Sequence, residues 1–274
     1  MAVLPNLLIV GAQKCGTTWL HQRLGEHPDI FMSADKELRF FSKPHWESLV
    51  EDYAANFAAG ADARYRGESS PNYFWAYNPE VEIWRTTLRN ANRDMPGAVR
   101  RLLGPDTKLL LTLRQPVRRA VSAFVHQAGK GRILPGESLL EAGERLGLID
   151  MGRYRRNHAA WEAAWGRDPL FTVFLEDIEA DGQAVLDRVF DHLEVERMVL
   201  PRAGRAALVG RPLHRDGDSL VAEGSPGDPP LRIRGQEIQA LQRLYEDDIA
   251  FACQRLGAER LGWRAAPTLE SFAG

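Results

Sequence analysis

The stretch LLIVGAQKCGTTWLHQRL, residues 7–24, constrains the fold more than any other segment of the chain. Leu7 to Val10 is an apolar run short enough for a strand and apolar enough to be buried on both faces of a parallel sheet. Gly11, Lys14, Cys15 and Gly16 then form a turn, and Thr17 and Thr18 open a helix that carries Trp19, Leu20 and Leu24 inward. Strand, glycine turn and helix N-terminus together make an anion cradle. The first helical N–H groups have no intrahelical acceptor, and the helix dipole favours negative charge beside them. An ordinary strand-to-helix turn needs glycine for its geometry but gives no reason for a lysine and two hydroxyls.

The rest of the composition narrows the class. A chain of 274 residues with 44% hydrophobic and 26% charged content can hold a sizeable globular core. Its net charge of −2 argues against a general nucleic-acid binder. Two cysteines, Cys15 and Cys253, give neither a disulfide framework nor a metal cluster. No targeting segment is visible ahead of the first strand, and no apolar run approaches the roughly twenty residues of a membrane span. The expectation is a soluble, cytoplasmic protein with reduced thiols. No pattern in the chain sets its oligomeric state.

Taken in order, the chain alternates strands and helices. A strand-and-loop region at 29–45 carries the charged group Asp35, Lys36, Glu37 and Arg39 just before Phe40 and Phe41. Trp46, Leu49, Val50, Tyr53 and Phe57 predict an amphipathic helix over 46–59, and RGESSP, 66–71, reads as a turn-rich connection following a short strand. Helices are expected from Pro79 to about Asn92 and after Pro96. KLLLTL, 108–113, is the strongest buried strand; Arg114 ends it and Pro116 starts the next helix. Weak helix follows at 138–149, then a helix at 152–165, a strand at 170–175 ending at Glu176 and Asp177, and a helix at 182–192. The segment 201–234, with its GSPGDPP cluster, predicts a long loop or lid, and 235–256 one long helix. This alternation predicts a single α/β domain, a central parallel sheet with helices on both faces.

The glycine turn admits two readings. Its glycine spacing fits a nucleotide-binding loop of the Mg²⁺-dependent kinase type, but Thr17 stands where that loop has its lysine, and Lys14 lies inside the turn. The strongest strand ends in Arg114 and not in a metal-holding aspartate. A phosphate-like donor handled without a metal fits better. Arg114, at the carboxyl end of a parallel strand, and Ser122 on the following helix make a second receptor suited to a phosphate dianion. Arg118, Ser122 and His126 are spaced four apart and share a helix face.

Four blocks together resemble one family: GAQKCGTTW, KELRFF, GESSPNYF and LRQPVRRAVSAFVH. They are similar to the sulfotransferases that use 3′-phosphoadenosine-5′-phosphosulfate (PAPS), in particular the bacterial members and the heparan sulfate branch. The likeness covers residues 7–126, and the later GRY and FLEDI segments extend it to about 195. The resemblance implies a P-loop-like PAPS-binding core in which Lys14, Cys15, Gly16, Thr17 and Thr18 cradle the 5′-phosphosulfate. Trp19 is implied to stack on adenine, and Arg114 and Ser122 to hold the 3′-phosphate. Glu37 aligns with the catalytic base of the heparan sulfate branch, and His126 with a histidine near the reacting centre in some members.

The implied reaction moves a sulfuryl group to a hydroxyl, ahead of an amine, of a small molecule or carbohydrate. It releases 3′,5′-ADP and requires no metal. Two alternatives stand beside it, a Mg²⁺-dependent kinase and a non-catalytic nucleotide-binding protein. The chain departs from the family at Ser69, where heparan sulfate relatives often have a lysine, and at Arg39, where some have histidine. Candidates for the loop that closes on the 3′-phosphate are Arg211, Arg215, Arg232 and Arg234.

Overall fold

The computed structural model describes residues 2–81, 92–199, 212–222 and 230–272. In chain order the elements are β1 Leu7–Gly11, α1 Thr17–Leu24, β2 Ile30–Met32, α2 Val50–Ala55, β3 Tyr65–Ser69, α3 Met95–Leu103 and β4 Lys108–Leu113. They continue with α4 Pro116–Ala128, α5 Leu139–Arg145, α6 Tyr154–Trp165, β5 Phe171–Phe174 and α7 Leu175–Leu193. The last are β6 His214–Asp216, β7 Ser219–Ala222, β8 Leu231–Arg234, α8 Gly235–Leu244 and α9 Glu246–Leu256. Contacts divide the chain into two compact units. The first is Met1–Pro79, Trp84–Leu113 and Arg156–Leu208, and the second is Glu80–Ile83, Arg114–Arg155 and Val209–Gly274.

The first unit holds a five-stranded parallel sheet in the order β2-β3-β1-β4-β5. Every residue of β1 is buried, as its unbroken apolar run requires. Leu7 and Ile9 on one face join Leu110 and Val173 beneath α1 and α7, in a core completed by Trp19, Leu20, Leu24, Val185, Leu186 and Phe190. From β1 the chain first builds the sheet toward β2, and it later adds β4 on the other side of β1. The carboxyl end of β1 is therefore a topological switch point, where open α/β sheets bind ligands.

Several sequence expectations change in detail. The segment RGES belongs to β3 and is not a turn, because Tyr65 to Ser69 pairs with both β2 and β1. The helix expected over 46–59 is broken into 3₁₀ turns at Trp46–Leu49 and Ala58–Gly60 around α2. Asn56 ends α2 by donating from its amide to the carbonyls of Asp52 and Tyr53. Glu176 and Asp177 sit in the first turn of α7 and do not end a strand. Asp181 interrupts α7, and its side chain accepts from the Ala184 N–H at 3.0 Å. The later half of α7 thus starts on its own cap, which is why the sequence reads as a separate helix there. Residues 82–91, the body of the helix expected after Pro79, lie outside the described residues.

The second unit is helical around a small antiparallel sheet, β6-β7-β8. That sheet corrects the expected loop at 201–234, of which 200–211 and 223–229 lie outside the described residues. Leu220, Val221, Ala222 and Ile233 are buried, so the strands form on their own apolar positions. The single long helix expected over 235–256 is two, α8 and α9, parted at Tyr245. Tyr245 is fully buried; its hydroxyl donates to the Ile149 carbonyl at 2.9 Å, and Arg119 donates to it at 3.4 Å. No described helix is long and apolar enough to cross a membrane.

Candidate active site

The turn after β1 is held to the sheet at both sides. The Ala12 N–H donates to the Thr112 carbonyl at 2.7 Å, and the Thr112 hydroxyl donates to the Gly11 carbonyl at 3.0 Å. A Cβ on Gly11 would lie 2.5 Å from Phe74 Cβ, so only glycine lets the chain pass there. Lys14 adopts φ 66°, a left-handed conformation that costs a non-glycine residue about 1–2 kcal/mol. Gly16, at φ 92°, takes the same region without that cost and opens α1. No side chain caps the N-terminus of α1, and its first turn carries no acidic residue. Its leading N–H groups and dipole are thus arrayed for an external anion. The residues present fit a phosphosulfate: a lysine, a hydroxyl on the exposed Thr18, and a buried Thr17 that is 4% exposed.

Two of the predicted donor-site side chains are buried in the structure. Cys15 is buried, and its thiol donates to the Gln13 carbonyl at 3.5 Å. Its side chain turns into the protein, so the residue offers the cradle only its backbone N–H. Trp19 was expected on an adenine ring, but it is 5% exposed and part of the core with Leu7, Ile9 and Leu186. An indole enclosed to that degree has little face to offer a base.

Glu37 is built into a strained turn of the same unit. Glu37, Arg39 and His45 all have positive φ, at 66°, 51° and 54°. Such clustering of costly backbone conformations is a mark of functional sites. The Glu37 N–H donates to the Ser69 carbonyl at 2.9 Å, docking the turn on the end of β3. Lys36 Nζ reaches one carboxylate oxygen at 3.0 Å and Arg39 Nη2 the other at 2.5 Å. Burial pushes the Glu37 pKa up, but the Arg39 hydrogen bond and the Lys36 and Arg39 charges outweigh it and hold the pKa below its ordinary value. Glu37 is therefore a carboxylate flanked by cations, as its sequence neighbours suggested. Ser69, where the family resemblance implies a lysine, is fully buried, and its hydroxyl has no hydrogen-bond partner among the described residues.

The remaining predicted residues belong to the second unit. Pro116 begins α4 as expected, and Gln115 caps it by accepting from the Arg118 N–H at 3.0 Å. Arg114 is half-buried, with its carbonyl accepting from the Tyr154 hydroxyl at 2.8 Å. Arg118, Ser122 and His126 all lie on a half-buried face of α4, while Val117, Val121 and Phe124 are buried. Arg118 donates to the Ser271 carbonyl at 2.7 Å and lies over the Phe272 ring, so it ties down the C-terminal turn. Among the lid candidates, Arg215 pairs with Glu270 and Arg232 with Asp216, while the Arg234 N–H is capped by Glu237. Arg211 lies outside the described residues. Sequence reading missed Arg119, fully buried and donating to the Leu148 carbonyl, and Glu68, fully buried in β3. A charged residue among the apolar positions of α4 was the available signal for Arg119, whereas the polar strand YRGES gives none for Glu68.

Comparison with known proteins places the chain in a family. The sequence model described as the sulfotransferase family matches residues 5–198. Heparan sulfate glucosamine 3-O-sulfotransferase 6 of Mus musculus is 26% identical over 253 residues, 88% of this chain and 68% of that protein. Heparan sulfate glucosamine 3-O-sulfotransferase 3A1 of Mus musculus is 26% identical over 72% of this chain, which spans only 47% of that relative. A crystal structure of a sulfotransferase from Alicyclobacillus acidocaldarius shares the fold, with TM-score 0.65, 24% identity, and coverage of 95% of this chain and 99% of that one. With the family match extending from the strand before the glycine turn to the end of the parallel sheet and beyond, the chain belongs to the sulfotransferase family.

Proposed function

We propose that the protein transfers the sulfuryl group of PAPS to a hydroxyl of a carbohydrate or related small molecule, with Glu37 as the base. The observation that carries this reading is the turn after β1. It sets Lys14 and Gly16 in left-handed conformations ahead of a helix N-terminus without a side-chain cap. In the reaction an acceptor oxygen attacks sulfur in line, the bond from sulfur to the bridging phosphate oxygen breaks, and 3′,5′-ADP leaves. Glu37 takes the proton of the acceptor hydroxyl in the transition state. Lys14 and the first N–H groups of α1 oppose the charge that grows on the departing phosphate. Arg114 and Ser122 bind the 3′-phosphate, and His126 serves near the reacting centre. The heparan sulfate relatives support a carbohydrate acceptor.

The 3′-phosphate assignment has its own test. Thermal unfolding should shift upward far more with 3′,5′-ADP than with 5′-AMP, because a ligand that binds only the folded protein stabilises it by an amount that grows with the logarithm of its concentration relative to Kd. Arg114→Ala should abolish most of the difference. Equal shifts with the two nucleotides would remove Arg114 and Ser122 from the donor site.

A further inference from the structure

Beneath the Glu37 turn lies a buried carboxylate that the mechanism does not use. Glu68 is fully buried in β3 and accepts three hydroxyls: Tyr53 at 2.8 Å and Tyr73 at 2.7 Å on Oε1, and Ser70 at 2.8 Å on Oε2. Two of those hydroxyls also receive backbone N–H groups from the turn. Arg39 N donates to Ser70 Oγ at 2.9 Å, and Phe41 N reaches the Tyr73 hydroxyl at 3.4 Å.

The direction of each bond follows from the groups. A hydroxyl has one hydrogen. Once the Ser70 hydrogen is committed to Glu68, the oxygen presents lone pairs to Arg39, and the same holds for Tyr73 and Phe41. The tyrosine rings also seat the turn's aromatics. Phe40 stacks on Tyr53 with centroids 3.9 Å apart, and Phe41 meets Tyr73 edge-on at 5.5 Å. The carboxylate thus orients hydroxyls, the hydroxyls hold the backbone of Arg39 and Phe41, and Arg39 in turn grips the Glu37 carboxylate. Burial raises the Glu68 pKa, and the hydroxyl bonds pull it back only in part, a sign that the site is closed to solvent.

We propose that Glu68, acting through Ser70 and Tyr73, is the positioning residue that fixes the Glu37–Arg39 turn in its reactive geometry. The inference rests on the reading of Glu37 as base. A glutamine at 68 would offer an amide N–H in place of one acceptor oxygen, leaving a hydroxyl hydrogen in the buried cluster without an acceptor. Displacement of a base by about 1 Å can cost 10²-fold in rate.

The test uses Glu68→Gln and Ser70→Ala, the second removing both the acceptor of the Arg39 N–H and the hydroxyl that Glu68 orients. Each should lower kcat by about 10–10²-fold, leave the affinity for 3′,5′-ADP within about twofold, and speed hydrogen exchange at the Arg39 amide. In a Glu37→Gln background the same changes should cost less than about threefold, since the group being positioned is already gone. Full additivity in that background, or unchanged Arg39 exchange in both variants, overturns the proposal. Wild-type protein that protects the Arg39 amide yet turns over no PAPS overturns the base reading, and the positioning role of Glu68 with it.

Discussion

Lys14→Met is expected to lower kcat by about 10²–10³-fold, the usual cost of removing a preorganised electrostatic group from a site of charge development. Methionine keeps much of the apolar stem and is, like lysine, a residue with a Cβ, so the left-handed backbone at φ 66° is under the same strain in both proteins. What disappears is the cation. Binding of the donor should weaken less than the rate falls, because the N–H groups of α1 still receive the anion while the charge added in the transition state goes unopposed. Single-turnover rates at saturating donor measure this directly. A variant with raised KM and unchanged kcat would make Lys14 a contact equal in ground and transition states, and would remove it from leaving-group stabilisation.

Glu37→Gln is expected to lower kcat by about 10²-fold or more while leaving the affinity for 3′,5′-ADP nearly intact. The amide retains the shape and one acceptor, so Arg39 keeps a partner, but it takes no proton. The pH profile adds a second constraint. The Glu37 pKa lies below its ordinary value because hydrogen bonds and charge from Arg39 and Lys36 outweigh burial. The ionised base is then fully present at neutral pH, and the acid limb of kcat should lie below the ordinary carboxylate range near ~4.3. The same sign governs stability. A depressed carboxylate stabilises the fold above its unfolded pKa and loses that contribution as pH falls through the folded one. A kcat that survives the substitution, or an acid limb near neutrality that it leaves in place, would assign the proton to another group.

Much of this architecture was legible because single residues had one reasonable place to go. Leu7 to Val10 and Lys108 to Leu113 could only be interior strands, and Pro116 could only begin a helix, so β1, β4 and α4 fall where the sequence puts them. Gly16 marked the start of α1 for the same reason. The failures share a different cause, which is long-range pairing. RGES looks like a turn until β1 and β2 flank it, and 212–234 looks like a lid until Leu220 and Ile233 find a common interior. The break at Tyr245 depends on Arg119 and Ile149, more than ninety positions away in the chain.

The candidate site divides along the same line. Lys14, Gly16 and Glu37 announce themselves by residue type within a few positions, and their strained backbones were not visible from composition. Trp19 matches the family by residue type, and its enclosure in this core was not visible from the sequence. Glu68 was passed over because a carboxylate inside GESSPNYF reads as one more polar residue. Its meaning depends on Tyr53 and Tyr73 arriving from elsewhere in the chain.

The most direct measurement of the central claim is transfer of labelled sulfur from PAPS, with a chelator present, to a panel of carbohydrate hydroxyl and amine acceptors. The account predicts labelled product in equal amount to 3′,5′-ADP, undiminished by chelation and formed about 10²–10³-fold more slowly in Lys14→Met. Turnover that requires ATP and Mg²⁺, or donor binding without transfer to any acceptor in the panel, would contradict it.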